Sequence, residues 1–108
     1  MKTDNELPEL TSLQFLVMEV IGAHKVRGAD IRDRLKREHG VNKTGPAFYQ
    51  LMARLEESKF AEGWYEQEII DGQIIKQRFY KVTGLGERAR RETLKFYSQF
   101  GEGRLAHA

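Results

Sequence analysis

Asp71-Gly72 constrains this chain more than any other pair of its residues. A two-residue hairpin loop of type I′ needs positive φ at both central positions, and Asp-Gly is among the few pairs that tolerate it. The flanking segments alternate with a period of two: Trp64–Ile70 precedes the turn and Gln73–Val82 follows it, both rich in β-branched and aromatic residues. Pairing across the turn sets Ile69 opposite Ile74 and Trp64 opposite Phe79. An isolated hairpin is at best marginally stable in water, so the remaining residues must supply a body to hold it.

That body reads as helical. Thr11-Ser12-Leu13-Gln14 has the form of a capping box, a hydroxyl followed three residues later by a side chain that reaches back. The helix it opens carries Leu13, Phe15, Leu16, Val17, Met18, Val20 and Ile21, too many apolar residues for a single buried stripe. A second helix spans about Gly28 to His39, with Ile31 and Leu35 inward, Arg32, Arg34, Lys36 and Arg37 mostly outward, and Gly40 as its left-handed terminator. After the short turn Val41-Asn42-Lys43, Thr44 caps a third helix and Pro46 fits its first turn. Phe48, Leu51, Met52 and Leu55 recur there at helical spacing, while Gln50, Ala53, Arg54 and Glu57 lie off that stripe and Tyr49 sits at its edge. Thr83 caps a last helix from about Gly84 to Phe100, which Gly101-Glu102-Gly103 is expected to end. The expected fold is therefore α+β and mainly α: an arm over residues 1–10, a winged helix-turn-helix over 11–83, a helix over 84–100 and a tail over 101–108.

Composition removes several function classes. The 108 residues include no cysteine, which excludes disulfides, zinc–thiolate sites and a cysteine nucleophile and fits a reducing compartment. No apolar run nears the ~20 residues of a membrane span, and Met1–Leu10 is too acidic for a secretory signal, so a cytoplasmic protein without a membrane partner is expected. His24, His39 and His107 lack ligand spacing, Glu56 and Glu57 are adjacent on a helix and cannot face each other, and Ser12, Ser58 and Ser98 have no nucleophile context. Neither a catalytic residue nor a metal is expected. Gly84-Leu85-Gly86-Glu87-Arg88-Ala89 fits a dinucleotide-binding pattern, but the preceding strand belongs to a hairpin, and too few residues follow for the acid that would hold a ribose, so no cofactor is expected. The net charge of +2 is partitioned: −3 over Met1–Ala23, +4 over His24–Lys59, −4 over Phe60–Ile75 and +5 over Lys76–Ala108. Basic blocks of this kind imply basic faces on particular elements.

Three stretches resemble the PadR family of winged-helix transcriptional regulators. Thr44-Gly45-Pro46-Ala47-Phe48-Tyr49-Gln50-Leu51-Met52-Ala53-Arg54-Leu55-Glu56 is similar to that family's recognition helix. Arg78-Phe79-Tyr80-Lys81-Val82-Thr83 is similar to its second wing strand, with Gly86 at the glycine of the following turn. Arg27-Gly28-Ala29-Asp30-Ile31 is similar to the start of its second helix, although Ala29 stands where the family has tyrosine and Gly84-Leu85 where it has Pro-Glu. The resemblance covers about residues 10–100 and implies the short subfamily with one C-terminal helix. It further implies a cytoplasmic, dimeric repressor acting on a palindromic operator, with a small aromatic effector as a further partner at the dimer interface.

A helix-turn-helix places the start of its recognition helix in a major groove about 12 Å wide. On that geometry Thr44 and the amides of Gly45 and Ala47 would meet phosphate, Lys43 would neutralise it, Gln50 would read a base edge, and Arg54 a base or phosphate. Tyr49 has two readings, packing residue or phosphate donor. Lys76 and Arg78 on the wing suit a DNA backbone, but Glu66, Glu68 and Asp71 share the hairpin, so cross-strand pairing such as Glu66 with Lys76 is the competing reading. Leu85, Ala89, Thr93, Phe96 and Phe100, broadened by Leu94 and Tyr97, form a stripe on the last helix. With Leu13 and Val17 of the first helix they are expected to make a dimer interface. A winged-helix protein-interaction module without DNA binding is the alternative.

Overall fold

The computed structural model describes residues 10–106, with side chains described through residue 99. The elements in chain order are α1 (Ser12–Ile21), β1 (Val26–Arg27), α2 (Gly28–His39), α3 (Gly45–Glu57), β2 (Ala61–Ile70), β3 (Gln73–Val82) and α4 (Gly84–Ala106). The three strands form an antiparallel sheet in the order β1-β3-β2.

Each local signal acts as its chemistry requires. The Thr11 hydroxyl accepts from the Gln14 amide at 3.0 Å while the Gln14 side chain accepts from the Thr11 amide at 3.0 Å, closing the capping box. Gly40 takes the left-handed conformation (φ 69°) and ends α2. The hairpin turns at Asp71 (φ 53°) and Gly72 (φ 78°), with Ile69 across from Ile74 and Trp64 across from Phe79. Two features depart from the expectation. Strand β2 begins three residues earlier than the alternation suggests. A two-residue strand, β1, also pairs Val26 with Tyr80 and Arg27 with Phe79, too short to carry a period of its own.

The core is a single cluster. Val17, Met18, Val20 and Ile21 of α1 meet Ile31 and Leu35 of α2 and Phe48, Met52 and Leu55 of α3, and Phe60 and Tyr80 close it from the sheet side. Burying each such side chain contributes about 1.5–3 kcal/mol. Leu10 belongs to this cluster, so the expected N-terminal arm is already part of the body at its last residue; residues 1–9 lie outside the described ones.

Helix α4 continues through Gly101-Glu102-Gly103 to Ala106, a correction to the expected stop at Phe100. Glycine in a helix costs roughly 1 kcal/mol relative to alanine but terminates it only on entering the left-handed region, as Gly40 does. At its other end α4 is anchored firmly. The Thr83 amide donates to the Phe60 carbonyl at 3.0 Å, the Thr83 hydroxyl donates to the Lys59 carbonyl at 2.6 Å, and the Gly86 amide donates to the Thr83 hydroxyl at 3.0 Å. Arg90 then bonds both Glu87 and Glu19 of α1, each at 2.8 Å or less, and hydrogen bonding from Arg90 holds the Glu87 carboxyl below its ordinary value.

Gly86 lies so close to the Phe60 carbonyl that a Cβ there would overlap backbone atoms, whereas a Cβ on Gly84 would meet open space. Gly86→Ala is therefore expected to destabilise the fold by about 2 kcal/mol or more. Gly84→Ala should be neutral or stabilise by up to about 1 kcal/mol. Urea midpoints of the two variants check the contrast.

Candidate nucleic-acid interface

Helix α3 presents its start and one long face to solvent. The buried stripe Phe48, Met52 and Leu55 fixes its rotation, which leaves Ala47, Gln50 and Arg54 exposed at spacings of three and four. The Thr44 hydroxyl accepts from the Ala47 amide at 3.3 Å. That amide is thus engaged in the cap, which leaves Gly45 as the backbone donor of the pair expected to meet phosphate. Lys43 is half-buried, and its carbonyl accepts from Arg32 Nε at 2.9 Å, which fastens the turn to α2.

Tyr49 is packed on one side and exposed on the other. Its ring sits edge-on to Phe48 at 5.1 Å and across Gly28, where an added Cβ would come within 3.3 Å of the ring and hydroxyl, yet 45% of the residue is exposed. It borders a shallow cleft of about 310 Å³ between α2 and the turn, lined also by Ala29, Arg32, Asp33, Lys36 and Asn42. Arg32, Lys36 and Asn42 were not singled out as site residues. The signal available was two cations four residues apart on α2, hence on one face, beside the turn.

The wing divides its charges by face. Side chains alternate along a strand, and the register places Tyr65, Gln67 and Ile69 with Arg78, Lys76 and Ile74 on one face. Glu62, Glu66 and Glu68 fall on the other. The cationic face is the one turned toward α3, because Arg78 bonds Glu56 of that helix at 2.8 Å. The Tyr65 ring lies between Lys76 Nζ and the Arg78 guanidinium, each 4.7 Å from its centroid. Burial lowers the affinity of Arg78 for its proton, but hydrogen bonding to Tyr80 and the charge of Glu56 outweigh it, so the guanidinium stays above its ordinary value. Burial pushes the Tyr80 hydroxyl up.

The expected Glu66–Lys76 pair does not form: Lys76 faces away from Glu66. Glu66 instead accepts from Lys25 Nζ at 2.8 Å and from Trp64 Nε1 at 2.8 Å, and Lys25 also lies 4.9 Å from the Phe79 ring centroid. This ties the base of the wing to the loop after α1.

Of the residues assigned to a dimer face, Val17 and Ala89 are buried in the core of their own chain and are removed from it. Leu13 is half-buried, and Leu85 packs against the core with part of its surface open. Phe96 and Tyr97 are 60% and 42% exposed, and Leu94, 48% exposed, joins them. The side chain of Phe100 lies outside the described ones. Among the described residues no histidine and carboxylate cluster suits a metal ion, and no helix is long and apolar enough to cross a membrane.

No family model and no curated protein sequence matches this chain. Solved structures do. A PadR-like transcription factor from Bacteroides fragilis superposes with a TM-score of 0.70 at 23% identity, covering 89% of each chain. A PadR-family transcriptional regulator from Eggerthella lenta matches at 0.60 and 25% identity over 84% of this chain and 80% of that one. Bacillus subtilis PadR in complex with operator DNA matches at 0.63 and 19% identity over 78% of this chain, which corresponds to 48% of that protein. The fold is that of the PadR-like winged-helix transcriptional regulators, a class without enzymatic activity.

Trp64 is the only tryptophan, and it donates to Glu66. The hydrogen bonds from Lys25 and Trp64 lower the Glu66 pKa, so this contact is stabilising at neutral pH and is lost as pH falls through the depressed value. Tryptophan emission should therefore change with a midpoint below the ordinary glutamate value. The transition should vanish in Glu66→Gln.

Proposed function

We propose that this chain is a DNA-binding transcriptional regulator acting as a homodimer on a palindromic operator. The observation that carries the reading is the distribution of uncompensated charge. Of the arginines and lysines before α4, Lys25, Arg27, Arg34, Arg37 and Arg78 have carboxylate partners. Among the described residues Arg32, Lys36, Lys43, Arg54, Lys59, Lys76 and Lys81 have none; five of these lie on α2, the turn, α3 and the α3-facing side of the wing, while Lys59 follows α3 and Lys81 lies on the other wing face. Cations left unpaired beside a protruding helix attract a polyanion.

In this reading Lys43, Thr44 and the Gly45 amide hold phosphate at the start of α3. Arg32, Lys36 and the Tyr49 hydroxyl border the neighbouring strand, and Gln50 and Arg54 reach base edges. Arg78 has a different part: paired with Glu56, it sets the wing against α3 and leaves Lys76 as the wing's phosphate contact. The Bacillus subtilis neighbour seen with operator DNA supports the same class of partner for this chain.

Leu94, Phe96 and Tyr97 continue onto α1, where Tyr97 packs edge-on against Phe15 at 5.8 Å. An apolar surface of this kind beside half-buried Leu13 and Leu16 suits a two-fold contact with a second copy. Occlusion of a promoter in the cytoplasm is the simplest regulatory outcome. A small aromatic molecule between the two copies of α4 would alter the spacing of the recognition helices.

Selection of bound duplexes from a random pool tests the whole reading and should return a palindrome. Arg54→Ala should then weaken that duplex by about 1–3 kcal/mol, and Lys43→Ala should weaken all duplexes alike and reduce the salt slope by about one. A chain that binds no duplex at low salt is instead a protein-interaction module. Leu94→Glu/Phe96→Glu should sediment as a monomer that keeps its fold but binds the palindrome far more weakly, since its half-sites are no longer linked.

A further inference from the structure

Strand β2 is the outer strand of the sheet, with β3 on one side and no strand on the other. Positive φ at both Asp71 and Gly72 makes a two-residue turn, whose flanking pair, Ile70 and Gln73, exchanges hydrogen bonds. Along an antiparallel ladder such pairs alternate with pairs whose N–H and C=O groups point outward. The backbone groups of Tyr65, Gln67 and Ile69 therefore point away from β3, and among the described residues none of them has a backbone partner. We propose that this edge binds an extended, cationic segment of a partner protein, which adds to the sheet as a further antiparallel strand. The proposal does not depend on DNA binding.

The edge lacks the features that usually keep strands apart. Exposed edges are commonly guarded by proline, by lysine, by a bulge or by brevity. Strand β2 has none of these: its 10 residues pair in unbroken register with β3, and they include no proline, lysine or arginine. Tyr65 is 58% exposed and Ile69 77%, both on one face. An added strand would satisfy the outward N–H and C=O groups and cover these two side chains at once.

Charge selects the occupant. Glu62, Glu66 and Glu68 line the other face of β2, and Asp71 follows in the turn. Lys25 pairs with Glu66, whereas Glu62, Glu68 and Asp71 have no cationic partner among the described residues. A second copy of β2 would meet like charge. Antiparallel pairing about Gln67 sets Glu66 against Glu68 twice, pairing about Tyr65 sets Glu62 against Glu68 twice, and the register between them sets Glu66 against itself. Like charges directly opposite destabilise a strand pair. The acidic row thus turns away its own kind and phosphate alike, and admits a strand with lysine or arginine at alternate positions.

The register also fixes which partner residues do what. Directly opposite residues of an antiparallel pair point their side chains to the same face. Partner residues that exchange hydrogen bonds with Tyr65, Gln67 and Ile69 therefore lie on the face of those side chains. Lys76 and Arg78 stand on that face and disfavour further cations, so these partner residues are apolar. The residues between them face Glu66 and Glu68, carry the positive charge, and turn their own N–H groups away from β2. The segment is an alternation of apolar and basic residues, bound through the amides of the apolar ones.

The test titrates the full chain with a terminally blocked peptide of alternating valine and lysine, read by the emission of Trp64, the only tryptophan, which lies on β2. Saturable binding is expected. N-methylation of the valines should abolish it, and N-methylation of the lysines should leave it nearly unchanged. Gln67→Pro removes an outward N–H and no bond to β3, and should weaken binding by about tenfold or more. Glu62→Lys/Glu68→Lys should transfer the preference to the matching valine–glutamate peptide. Equal binding of the N-methylvaline peptide would overturn the proposal by showing adhesion without strand pairing. Equal binding of the valine–glutamate peptide by the native chain would overturn it as well, as would no binding of the valine–lysine peptide. A Gln67→Pro chain with a changed oligomeric state on sedimentation would show that a second copy already closes the edge. If that variant fails to fold, the N-methylated peptides decide, since they leave the protein untouched.

Discussion

The close approach of Gly86 to the Phe60 carbonyl is the constraint on which the remaining geometry depends. Four elements converge there. Helix α3 has just ended, with Lys59 in the left-handed region (φ 65°) and the Phe60 amide donating back to the Leu55 carbonyl at 3.0 Å. Strand β2 begins, β3 finishes, and α4 starts under the Thr83 cap. Because backbone rather than side chain fills the space, no rotamer change can relieve a larger residue at position 86. The direction of α4 is thereby referred to the end of α3, the helix that carries Gln50 and Arg54.

Around that junction charge is sorted by position more than by amount. A net charge of +2 is close to neutral for 108 residues, and an acidic stretch runs through the wing. Alternation along the strands moves Glu62, Glu66 and Glu68 to one face, where Lys25 holds Glu66, and leaves Lys76 and Arg78 on the other. The acidic stretch of the wing is thus divided between one face and the turn residue Asp71.

Much of this was legible in the residues, and what was not has identifiable causes. The capping box at Thr11, the stop at Gly40, the cap at Thr44 and the Ile69–Ile74 register follow from short-range chemistry, which a linear reading captures well. Strand β1 escaped because two residues cannot show a period. The partner of Glu66 escaped because Lys25 is 41 positions away, and only the folded sheet brings them together. Val17 and Ala89 were placed at an interface because periodicity reports an apolar face without saying whether the same chain or another covers it. The cleft lined by Arg32, Lys36, Asn42 and Tyr49 joins two helices and a turn, and no single segment displays it.

The 23 residues of α4 rise about 34 Å from a base held by Gly86 and Arg90. Such a rod works as a lever with its fulcrum at the wing–helix junction. A tilt of about 5° at the base displaces the far end by about 3 Å, close to the rise of one base pair. In a two-fold assembly joined along these rods, the motion runs in the other direction as well. In the dimer proposed above, a small change where the rods meet would return to the two copies of α3 as a change in their spacing, a ruler's length altered at one end.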